Sequence, residues 1–148
     1  MLPRKGRDGV YEFQWANLDL STVLTAVSPE RDTGIFVRAL LAAPPGTVLL
    51  GEADPTTVGK YVEMWSQVTG RTARFSPITG GELEALVDST MPSFGKEMAE
   101  NLQYYRDFTY TGSDPAVIRA AALDIDLKGL TTLRQFLSET DWSSLLAE

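Results

Sequence analysis

Between positions 91 and 110 the chain gathers Met91, Phe94, Met98, Tyr104, Tyr105, Phe108 and Tyr110. Such a set can line an apolar pocket for a small molecule, with phenol groups to orient it, and Met91, Phe94, Met98, Tyr104 and Tyr105 are the binding candidates. The same stretch has a second reading. Phe94, Met98, Leu102, Tyr105 and Phe108 recur at helical spacing, which predicts a core stripe, while Tyr104 lies off its centre. Asp88, Glu97 and Glu100 flank the region, and a carboxylate desolvated beside aromatic groups can exchange protons with a substrate. Asp88, Glu100 and Tyr104 are therefore the catalytic candidates, against the simpler reading of solvated charge on a helix face. Asp124 and Asp126 stand at two-residue spacing but have no third ligand nearby, so no metal site is expected.

Cysteine and histidine are both absent. Disulfides, thiolate nucleophiles, the usual zinc sets and imidazole catalysis go with them. Any chemistry falls to Asp, Glu, Tyr, Lys, Arg, Ser or Thr.

The net charge is −7, from 20 acidic and 13 basic residues, and Arg4, Lys5 and Arg7 crowd the start. A phosphate backbone would be repelled by such a body, so nucleic acid is not an expected partner. Residues 1–8 read as a flexible basic arm and 9–148 as one domain. The longest apolar run, IFVRALLAA, is short and broken by Arg38. Neither a membrane span nor a signal peptide is expected, and the predicted location is cytoplasmic.

Residues 10–15, VYEFQW, alternate Tyr11, Phe13 and Trp15 against Val10, Glu12 and Gln14, the period of a strand with a buried aromatic face. TVLTAV at 22–27 predicts a second strand. Asp32 or Thr33 is expected to cap a helix carrying Ile35, Phe36, Ala39 and Leu40, which Pro44-Pro45-Gly46 ends before a buried strand, TVLLGE. Asp54 before Pro55 reads as the cap of a helix whose stripe is Val58, Tyr61, Val62, Trp65 and Val68, closed by Gly70. RTARFSPI at 71–78 predicts a strand that Pro77 confines to an edge or an end. Helices are then expected over ELEALVDS, from Pro92 onward, as a turn over AVIRAA, and over TTLRQFLSETDW with Leu133, Phe136 and Leu137 on one face. Trp142 is expected to dock the C-terminus. The order predicts an α/β, α+β-like fold with a small three- to four-stranded sheet and a helical second half. A sheet so small leaves an open edge, for which a homodimer or a partner protein is expected as cover.

Four segments together, RDTGIFVRALLAAPPG with TVLLGE, TTVGKYVEMWSQVTGR, the Phe94 helix through QYYRDFTYTGSDP, and TLRQFLSETDWSSLL, resemble the C-terminal half of NmrA-like proteins. Those belong to the atypical short-chain dehydrogenase superfamily and are common in fungi. The likeness runs from about residue 8 to the end, with the RDTG helix start and the closing DWSSLL as its most specific pieces. It implies the substrate-side half of the family without the Rossmann half that carries the glycine-rich dinucleotide loop. No GxGxxG or GxxGxxG occurs, and none of the five tyrosines has a lysine four positions on, so the Tyr-x-x-x-Lys signature is missing too and no cofactor is expected.

The expectation is therefore a stand-alone substrate domain that binds an apolar small molecule, with non-redox isomerase or cyclase chemistry of fungal secondary metabolism as its enzymatic form. Two alternatives stand beside it. One is a regulatory or structural remnant that binds a partner protein; the other is half of an NAD(P)-binding reductase or redox sensor.

Overall fold

The computed structural model describes residues 2–123 and 129–147. The fold is mixed α/β, with short helices and sheets of two or three strands. In chain order the elements are β1 (Arg4–Lys5), β2 (Tyr11–Ala16), β3 (Val23–Leu24), α1 (Pro29–Ala42), β4 (Val48–Leu50), β5 (Thr56–Thr57), α2 (Val58–Thr69), β6 (Ala73–Ile78), α3 (Gly80–Asp88), α4 (Gly95–Phe108), β7 (Val117–Arg119), α5 (Leu133–Glu139) and α6 (Ser143–Leu146). A 3-10 turn, Ala120–Ala122, follows β7. The chain forms two compact units, Met1–Val23 with Thr57–Gly112 and Leu24–Thr56 with Ser113–Glu148.

The first unit is built on the sheet β1-β2-β6. β1 runs antiparallel to β2, and β6 runs parallel to it in register from Tyr11↔Ala73 to Ala16↔Ile78. The alternation read in VYEFQW holds: Tyr11, Phe13 and Trp15 are buried, with Glu12 and Gln14 less covered. Their rings meet α2, whose Trp65 is fully buried with centroids 5.2 Å from Tyr11 and 5.5 Å from Phe13. Val58 and Val62 complete the buried stripe, and Gly70 ends the helix in the left-handed region at φ 67°, where a Cβ is disfavoured. Side chains alternate across a strand, so Ala16 faces away from that aromatic set. It packs with Leu83 and Val87 of α3, and Ile78, Met98, Ala99 and Leu102 close the cluster. Pro77 sits on β6, an edge strand, where its missing N–H removes no ladder bond that a neighbour needs.

Two expectations change in this unit. Arg4 and Lys5, read as part of a flexible arm, pair with Glu12 and Tyr11 as strand, and Pro3 beside them is fully buried. The α2 cap is Thr57, whose hydroxyl accepts from the Lys60 N–H, and not Asp54.

The second unit holds the parallel pair β4 and β7, in register from Val48↔Val117 to Leu50↔Arg119. The segment AVIRAA, expected as a helical turn, is strand over Val117–Arg119 because β4 offers it a ladder. TVLTAV, expected as a full strand, contributes only Val23–Leu24. Phe36, Ala120 and Leu130 form the core cluster, packed by Ile35, Leu49 and Ala53. α1 begins at Pro29, so Asp32 lies inside it and caps by another route: its carboxylate is fully buried and accepts from the Ser28 N–H at 2.9 Å. It also accepts from the N–H and hydroxyl of Thr131, at 3.0 and 2.9 Å. Asp54 accepts from the Leu133 N–H at the start of α5, 2.9 Å away. On α5, Leu133 and Leu137 are buried but Phe136 is exposed. Trp142 donates from its indole N–H to the Leu137 carbonyl, holding the chain after α5 against that helix.

Candidate small-molecule pocket

On the α3–α4 side of the first unit's sheet lies a cavity of about 720 Å³. Its floor comes from the β1 end, Leu2, Pro3 and Arg4, and from Gln14 and Trp15 of β2. Its wall comes from Leu86, Val87, Thr90 and Met91 at the end of α3, with Met98 and Leu102 of α4. The volume lies in the range of about 300–1,000 Å³ usual for small-molecule sites. Most of the surface is apolar because the cavity continues the Ala16–Leu83–Val87 cluster, with only Arg4, Gln14 and Thr90 supplying polar side chains.

Those polar groups are held locally. Gln14 donates its amide to Glu12 at 3.2 Å, and Thr90 donates its hydroxyl to the Val87 carbonyl at 3.1 Å, which finishes the last turn of α3. Arg4 is exposed and fixed through its backbone in the β1–β2 pairing. Glu12 accepts from the Arg74 guanidinium, and Arg74 also reaches Asp8 at 2.6 Å. Through this contact Asp8 sits below the ordinary carboxylate range and Arg74 above the ordinary arginine value.

Met91 and Met98, named from the sequence as binding residues, line this cavity. Phe94, Tyr104 and Tyr105 do not. Phe94 stands at the N-cap position of α4 and is 37% exposed. Tyr104 is exposed and stacks on Phe108, with centroids 5.0 Å apart. Tyr105 donates its hydroxyl to the Val23 carbonyl at 2.7 Å. The core stripe expected on α4 is accordingly partial: Met98, Leu102 and Tyr105 are half-buried, whereas Phe94 and Phe108 are exposed.

The catalytic candidates Asp88, Tyr104 and Glu100 also stand outside the lining. Asp88 accepts from the Gly95 N–H at 2.7 Å and so caps α4. Glu100 pairs with Lys96 one turn earlier, 3.7 Å away on the helix surface. Asp124 and Asp126 lie outside the described residues, among which there is no cluster of three or more metal-ligating acids. Nor does any helix of the described residues have the length and apolarity to cross a membrane.

The lining residues that sequence reasoning missed are Leu2, Pro3, Arg4, Gln14, Trp15, Leu86, Val87, Thr90 and Leu102. No local signal joins them. They meet because β1 turns back on β2, and because α3 and α4 pack as a pair against the β2 face that carries Ala16. The arrangement suits desolvation of an apolar body with a cation at one side. Among the described lining residues there is no carboxylate to act as base.

Comparison with protein-family models and with curated proteins gives no match for this chain.

Proposed function

We propose that this chain is an NmrA-like substrate-side domain whose task is to bind an apolar small molecule in the cavity of its first unit. The observation that carries the reading is the cavity itself, about 720 Å³ with walls of Leu, Val, Met and Trp. Burial of a ligand's apolar surface there contributes roughly 25 cal/mol per Å² before the entropy of association is subtracted. Binding rather than turnover is the favoured activity, since Asp88 and Glu100 are occupied as a cap and a surface ion pair.

Nile red, a neutral dye that brightens in apolar surroundings, tests this. The expected result is a saturable fluorescence rise with one site per chain, weakened about tenfold or more in Met98→Glu, which places a charge in the wall. Far-UV circular dichroism of the variant is expected to match the parent. A parent protein that gives no saturable rise overturns the reading.

A second reading, a surface for a partner protein, is favoured by α1, where Val37 is 48% and Leu41 83% exposed. Its check is sedimentation of the purified chain: a concentration-dependent mass that Leu41→Glu abolishes supports it.

A further inference from the structure

We propose that the occupant of the cavity is an amphiphile with an anionic, carboxylate-type head, read by Arg4; this rests on the binding reading above. Arg4 is the one ionisable side chain among the described lining residues, in a chain whose net charge is −7. A cavity wall with a cation and no carboxylate is therefore set apart from the average surface of the protein, which repels anions.

The neighbouring strands explain why that cation is left for a ligand. Arg4 lies opposite Glu12 in the β1–β2 pairing, and Glu12 lies opposite Arg74 in the β2–β6 pairing, so the three form a row across one face of the sheet. Glu12 spends one oxygen on Arg74 and the other on the Gln14 amide. Asp8 is likewise taken by Arg74. Arg4 makes no ion pair among the described residues. A guanidinium matches a carboxylate through two parallel N–H donors, and the other polar side chains named in the lining, Gln14 and Thr90, are neutral. The tail of such a molecule would lie along Leu86, Met91, Met98 and Leu102, and its head at the β1 end.

The test compares displacement of Nile red by dodecanoate, dodecanol and dodecyltrimethylammonium, which share a tail and differ in head charge, each below its micelle-forming concentration so that single molecules meet the cavity. Dodecanoate is expected to displace the dye at roughly fivefold lower concentration than dodecanol, the size of one partly exposed charge contact, and the ammonium compound to be the weakest. Arg4→Gln is expected to remove the preference, weakening dodecanoate by more than dodecanol; Arg4→Lys should keep part of it. Added salt should narrow the gap. Equal displacement by acid and alcohol, or a preference that survives Arg4→Gln, overturns the head-group assignment while the cavity reading stands. Failure of Nile red itself to bind removes both.

Discussion

At the residue scale, two polar side chains, one buried and one half-buried, show how single groups govern this structure. Asp32 is fully enclosed and satisfies donors from Ser28 and Thr131, joining the start of α1 to the approach to α5. Asp32→Ala strands those donors without water, so unfolding in denaturant is expected to show a loss of about 3 kcal/mol. Tyr61 packs its ring on Phe13 and Trp15, and burial raises its phenol above the ordinary value of 10.0. The folded protein thus favours the protonated phenol. Its stabilising effect is full below pH 10.0 and fades as pH climbs through the folded value. A tyrosinate absorbance titration should show a late-titrating phenol that Tyr61→Phe deletes.

At the scale of elements, the α3–α4 corner is the tightest construction in the first unit. A Cβ on Gly95 would meet the Glu84 carbonyl oxygen at 2.3 Å, a backbone atom that cannot rotate away. Gly95→Ala is therefore expected to cost about 2 kcal/mol or more and to disturb the Met98 wall of the cavity, read as both a lower denaturation midpoint and weaker Nile red binding. The start of α3 is fixed by a capping box, in which Thr79 accepts from the Glu82 N–H and the Glu82 carboxylate accepts from the Thr79 N–H. Thr79→Ala should lose about 1 kcal/mol. At the other end of the pair, Thr109 closes α4 with φ 63° and ψ −178°, a region that β-branched residues avoid. Thr109→Gly is expected to raise the midpoint, by about 1 kcal/mol of relieved strain.

Over the whole molecule the recurring electrostatic feature is the surface carboxylate held below its ordinary range. Asp8 is lowered by Arg74, Asp19 by Ser21, Glu82 by Thr79, Asp107 by Arg106, Glu139 by Arg31 and Asp141 by the Ser143 N–H. Each binds protons more weakly folded than unfolded, so stability rises with pH through the acid range and levels off above it. The thermal midpoint is expected to stay flat above the ordinary values of 3.8 for Asp and 4.5 for Glu and to drop as the pH falls through the lower folded values. Because these groups face solvent, added salt should flatten the drop where it arises from the Arg pairs. A midpoint that rises on acidification would contradict the assignment.

What the sequence determined by itself was local and periodic. The aromatic face of β2, the Val58–Trp65 stripe of α2 with its Gly70 stop, the α3 pattern and the edge position of Pro77 all follow from residues within one or two turns of each other. Of the cavity, only Met91 and Met98 were legible, through the density of large apolar groups around them. Tertiary structure decided what depends on distant partners. Asp32 meets Thr131 across 99 positions and Asp54 meets Leu133 across 79, so neither role could be read from its neighbours. Val117–Arg119 became strand because β4 supplied a ladder, and Arg4 left the expected arm because β2 offered it an edge. Hydrogen-bond ladders and cavities are made between segments, and propensity within a segment records only which of them each segment can join.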